Sequence, residues 1–117
     1  MNKSFSYGNL IVIIDKSKDV YFAVDSISDG NTVFTNVQMQ VNTDIDIQES
    51  NSVFIGKGKD LIGKVLFCTS NVQNPILKVQ SIDIDYKIND KTILSHSNPK
   101  SIADDIDIDF NIKFVSQ

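Results

Sequence analysis

Isoleucine alternates with aspartate in three stretches of this chain: Asp44-Ile45-Asp46-Ile47, Asp83-Ile84-Asp85 and Asp105-Ile106-Asp107-Ile108-Asp109. A period of two belongs to a strand with one buried and one wet face. Aspartate is a poor strand former, so it is tolerated there only where it points to water or to a partner. The pattern therefore demands half-exposed sheet, part of it strongly acidic.

The rest of the chain extends the same reading. Leu10-Ile11-Val12-Ile13-Ile14 is apolar on both faces, which predicts a central strand covered on both sides. Residues 15–19 form a polar turn, and Val20, Phe22 and Val24 then share one face of a second strand. Asp29-Gly30 is a strong hairpin signal. From Val33 to Ile47 one parity holds without a break: Val33, Thr35, Val37, Met39, Val41, Thr43, Ile45 and Ile47 fall on one side. One straight strand of that length would span ~50 Å at about 3.3 Å per residue. A compact domain of this size is only about 35 Å across. Two strands, or one long bent strand, are expected, with the break near Asn42-Thr43.

Val65-Leu66-Phe67-Cys68 is a second run apolar on both faces, and Asn74-Pro75 marks a turn. The parity of Ile76, Leu77 and Val79 differs from that of Ile82, Ile84, Tyr86 and Ile88, so a bulge is expected near Gln80-Ser81. Asn89-Asp90 turns the chain into Thr92-Ile93-Leu94, and residues 95–100 read as a loop. The last strand turns Ile106, Ile108, Phe110, Ile112 and Phe114 inward. A short helix is expected within 60–63 or 101–104. With only Ala23 and Ala103 as alanines, the apolar content lies mostly in Ile and Val, which favour strands. The fold expected is an all-β, antiparallel sandwich of about eight strands, of immunoglobulin-like or C2-like kind, in one domain over 1–117. Its core is expected to hold Val12, Val24, Val37, Phe67, Ile84, Ile108 and Phe110.

At 117 residues the chain buries enough surface to fold without a disulfide or metal. Cys68, the single cysteine, excludes an intrachain disulfide and a cysteine-based zinc cluster. The net charge is −4 and all eleven basic residues are lysine. A nucleic-acid binder favours a basic stripe with arginine, so no nucleic-acid partner is expected. The excess of Asn, Lys, Ile and Asp fits an AT-rich coding sequence and needs no functional cause. No segment approaches the roughly 18 apolar residues of a membrane span. The apolar run at 10–14 is shorter than the about 7–15 residues of a secretory signal core. A cytoplasmic protein, or one exported without a classical signal peptide, is expected.

Gly58-Lys59-Asp60-Leu61-Ile62-Gly63-Lys64 has the spacing of a phosphate-binding loop. Val65 stands where that motif needs Ser or Thr for magnesium, and no strand–loop–helix unit surrounds it. A Gly/Lys-rich connecting loop explains it better. His96 reads as an exposed loop residue, and Cys68 as an inert buried thiol. No residue pattern marks a catalytic nucleophile, so no catalytic residue, metal ligand or cofactor is assigned.

The acidic rows remain. Aspartates two apart on a strand project about 7 Å apart, and neighbouring strands lie about 4.8 Å away. Adjacent rows would gather carboxylates that repel unless lysines, calcium or a basic partner offset them. A solvated face is the plain alternative. Phe34 falls on the polar parity of its strand, and Tyr7 and Tyr21 lie near strand starts; a ring on a polar face marks an interface or a loop fold-over. The leading expectation is a non-catalytic protein-binding or assembly module. It would engage another protein, or a second copy of itself, through an edge strand or an acidic face. The residues assigned to that face are Asp44, Asp46, Asp83, Asp85, Asp105, Asp107, Asp109 and Phe34. A calcium-dependent ligand- or membrane-binding module is the first alternative and a small hydrolase the second.

Overall fold

The computed structural model describes residues 2–26, 32–39, 43–48, 51–73, 81–99 and 105–116. Nine strands are formed by these residues: β1 Asn2–Ile14, β2 Asp19–Ser26, β3 Thr32–Met39, β4 Thr43–Gln48, β5 Asn51–Lys57, β6 Val65–Gln73, β7 Ser81–Ile88, β8 Lys91–Pro99 and β9 Asp105–Ser116. One sheet has the order β1-β9-β6-β3-β4, and the second has β5-β2-β7-β8. They pack as a sandwich with a single short helix, α1, at Gly58–Leu61. The all-β sandwich is as the sequence predicts. The pairs between described strands are antiparallel except one: β1 runs parallel to β9.

The alternation places the core as expected for most strands. Val20, Phe22 and Val24 of β2, Ile82, Ile84, Tyr86 and Ile88 of β7, and Ile106, Ile108, Phe110, Ile112 and Phe114 of β9 are all buried. Each such side chain contributes about 1.5–3 kcal/mol over an exposed one. The long one-parity run folds as the β3–β4 hairpin, with Val33, Val37 and Ile47 buried along it. Its break at 40–42 lies outside the described residues, as do the bulge expected near Gln80 and the alternative helix at 101–104. Polar groups in the core satisfy one another. The Tyr86 hydroxyl donates to Ser70 Oγ at 2.8 Å, and Ser70 Oγ pairs with Thr35 Oγ1 at 2.8 Å.

Four expectations are corrected. Phe67 is 41% exposed, because the inward residues of β6 are Leu66, Cys68, Ser70 and Val72. Its register opposite Asn111 turns its ring to the outer face. Residues 10–14 do not form a central strand: they lie in β1, at the edge of its sheet. Within that run Val12 is half-buried, while Ile11 and Ile13 are 71% and 65% exposed. His96 is not in a loop. Strand β8 continues through it to Pro99, and its ring is buried. Finally, β2 and β3 lie in different sheets and do not pair, while the Asp29-Gly30 turn signal itself lies outside the described residues. The Asn89-Asp90 turn does close a hairpin, between β7 and β8: both residues have positive φ, at 48° and 66°, which Asn and Asp tolerate better than most. Strand β1 has 13 residues and spans about 43 Å. That accounts for a longest dimension of 45 Å, against the roughly 35 Å expected from size alone.

Candidate functional site

The acidic rows do not meet. Asp46 of β4 and Asp107 and Asp109 of β9 belong to the outer face of the five-stranded sheet, with β6 and β3 between the two strands. Asp44 and Asp105 occupy positions further along the same two strands. Asp83 and Asp85 lie on β7, in the other sheet. What offsets the carboxylates is mostly neutral donors on the next strand. Asn71 Nδ2 donates to Asp107 at 2.8 Å, Ser6 Oγ to Asp109 at 2.7 Å and Asn36 Nδ2 to Asp46 at 2.9 Å. On β7, Ser97 Oγ donates to Asp83 at 2.5 Å and Ser95 Oγ to Asp85 at 2.7 Å. Asp25 stands directly opposite Asp85, and Lys87 takes it in an ion pair of 2.9 Å. That contact holds the Lys87 ammonium above its ordinary pKa. Phe34 is exposed, in register with Asn71, on the same outer face as Asp107.

The two sheets meet on one side through β4 and β5. On the other side β1 and β8 form a seam, and the two halves of β1 treat it differently. Near residue 8 the strand carries one extra residue relative to β9. Gly8 has φ of +72°, a conformation that favours glycine at such a bulge. The bulge lets both Phe5 and Leu10 pack towards the core although they differ in parity. It also presents Tyr7 to β8. The Tyr7 hydroxyl bonds His96 Nδ1, and His96 Nε2 bonds Asn98 Oδ1 at 2.6 Å. The amide oxygen can only accept, so Nε2 carries the proton and Nδ1 accepts from the tyrosine. The Phe5 ring meets the imidazole edge-on, with centroids 4.7 Å apart. Burial pushes the His96 pKa down, against weaker upward pulls from Asn98 and Asp83. This half of the seam is closed by a neutral, bonded imidazole.

The other half is open. A groove of about 480 Å³ runs along Leu10 to Ile14 and is bounded by Ile88, Asn89, Lys91, Thr92 and Ile93 of the β7–β8 hairpin. On the outer side of the same segment, Ile11 is in register with Lys113 and Ile13 with Val115. Val65 of β6 continues the Ile11 row, and Phe67 flanks it. The apolar outer patch is therefore Ile11, Ile13, Val115, Val65 and Phe67. Leu10 and Val12 face the seam and are only half-buried.

Other candidate chemistry finds little support among the described residues. No three His, Cys, Asp or Glu side chains converge to hold a metal. Cys68 is buried, which pushes its thiol pKa up to about 12 despite an opposing hydrogen bond from Ser70. A thiol held protonated is a poor nucleophile. Gly58 is a glycine because a Cβ there would lie 2.2 Å from the Asp15 carbonyl oxygen. Tight packing against the 15–18 turn thus accounts for Gly58, and a φ of +84° for Gly63, with no phosphate needed. No described helix is long and apolar enough to cross a membrane.

Sequence reading missed the β1 edge, although its signal is the two-sided apolar run at 10–14. It also missed the Tyr7–His96 closure, for which spacing offers no signal. No protein-family model, curated protein or solved structure matches this chain.

Proposed function

We propose that this protein is a non-catalytic assembly module that engages a protein partner along the edge of β1 between Leu10 and Ile14. One observation carries the reading: an edge strand bears Ile11 and Ile13 at 71% and 65% exposure, beside an open groove with an apolar wall on β1 and polar groups of Asp15, Lys18, Asn89, Lys91 and Thr92 around it. Edge strands offer backbone donors and acceptors to an incoming strand. Natural sequences usually blunt such edges with charge or proline, and residues 10–14 contain neither. A partner strand laid on β1 would pair its backbone, cover Ile11 and Ile13, and fill the groove beside Leu10 and Val12. The acidic rows rank second as a contact surface, because Asp46, Asp83, Asp85, Asp107 and Asp109 each already accept a hydrogen bond within the chain.

A photo-crosslinking residue at position 11 or 13, compared with one at Ser95 on the opposite sheet, tests this in cells that make the protein. Discrete adducts from 11 and 13, and none from 95, are expected. Adducts from 95 alone, or from no position, would remove β1 as the site.

A further inference from the structure

We infer that the occupant of the β1 edge is a second copy of this chain, paired antiparallel through β1 into one continuous ten-stranded sheet. This rests on the reading of β1 as an interface and adds the identity and direction of the partner.

Charge selects the direction. Strand β9, parallel to β1, carries Asp107 and Asp109 beside Ser4 and Ser6, in the first half of β1. Beside Ile11 it carries Lys113, and beyond Ile14 the turn holds Lys16 and Lys18 between Asp15 and Asp19, with Lys57 and Lys59 beside them, so cations outnumber carboxylates at this end. Between described residues the one close ion pair joins Lys87 to Asp25, while Lys16 and Lys18 act on Asp15 at longer range. The β1–β9 ribbon is thus negative at one end and positive at the other. Two copies laid antiparallel bring the lysine end of each towards the aspartate end of the other. Laid parallel, they would set like charge beside like.

The side chains agree. With the two-fold axis at Val12, Ile11 of each copy stands opposite Ile13 of the other, and Leu10 stands opposite Ile14. Directly opposed β-branched pairs are favourable in antiparallel sheet. Asn9 then faces Asp15 and Gly8 faces Lys16, with no like charges opposed. The contact is isologous, so it closes at two chains and uses up both β1 edges.

Sedimentation of the full chain over a concentration series is the test. A species of twice the 13.1 kDa chain mass is expected, and the Ile11→Lys/Ile13→Lys variant should stay monomeric with an unchanged far-ultraviolet spectrum. Lys16→Glu/Lys18→Glu should weaken dimerisation tenfold or more at low salt. Raising salt should weaken the wild-type dimer too, since screening shortens from about 10 Å at 0.1 M to about 3 Å at 1 M. Oxidation should link the Ile11→Cys/Ile13→Cys variant efficiently and Ile11→Cys alone poorly. Efficient linking by Ile11→Cys alone would overturn the pairing centred on Val12. A chain monomeric at all concentrations, with position 11 crosslinking a different protein, would overturn the second copy and leave the β1 interface standing. No adduct from 11 or 13 would overturn both.

Discussion

Residues 4–7 and residues 10–14 belong to one strand and run beside one neighbour, β9, yet their surroundings are opposite. In the first half, Ser6 is bonded to Asp109, Tyr7 to His96, and Phe5 packs on the same imidazole. In the second half, Ile11 and Ile13 face out bare, and Leu10 and Val12 look into an open groove. The change falls at the Gly8 bulge, which hands Tyr7 to β8 and re-aims the residues after it. The difference teaches that a satisfied polar surface and an unsatisfied apolar one can sit a few residues apart on one edge. The polar half is already satisfied within the chain; on the reading proposed above, the apolar half is the one a partner would stabilise.

The largest effect tests the core beneath both halves. Phe110 lies between the Asp109 and Asn111 positions that pair with Ser6 and Asn9, and its ring meets Tyr86 edge-on at 4.7 Å. Phe110→Ala should cost about 3–5 kcal/mol in denaturant unfolding, as buried phenylalanines do. Phe67→Ala, on the apolar outer patch, should cost under about 1 kcal/mol. Similar losses at both would mean that the patch is part of the core and not a surface awaiting cover.

These two phenylalanines also show what was legible in the sequence. Phe110 sits in an unbroken alternation, so its face is set by period alone. Phe67 sits in a run apolar on both sides, where period gives no direction, and register with β9 decides it. The same ambiguity hid the edge position of β1: strand order comes from contacts between distant segments, not from local pattern. The Asp-Ile rows were legible as strands with a wet face. Their separation onto β4, β7 and β9 was not, and neither were the Asn and Ser donors that meet them. His96 was misread because Ser95, Ser97, Asn98 and Pro99 resemble a loop. In the fold, Ser95 and Ser97 face out while His96 and Asn98 are buried and bond each other.

The next effect probes the closed half. Tyr7→Phe removes the donor to His96 Nδ1 and leaves a buried acceptor unsatisfied, at a cost of about 1–3 kcal/mol. Acid should act on the same contact. The folded imidazole has a pKa below its ordinary 6.5 because burial disfavours its charged form. The unfolded chain therefore takes up this proton at higher pH than the folded one. Stability from the neutral imidazole is whole above pH 6.5 and is lost as pH falls through the lower folded value. Melting temperature should drop between about pH 7 and about pH 5, and the drop should shrink in His96→Gln. An equal drop in that variant would assign the acid sensitivity to other groups.

The smallest effect bears most directly on the open half. Ile11→Thr keeps a β-branched residue on the strand and removes apolar surface that is 71% exposed in the monomer. In a dilute sample, where no partner strand is present, unfolding free energy should change by less than about 0.5 kcal/mol. At high concentration the variant should melt below the wild type, because only the wild type gains stability by mass action from covering Ile11. A loss that is large and independent of concentration would show that Ile11 is already packed within its own chain. The two halves of β1 would then be alike, and the contrast on which the interface reading stands would be gone.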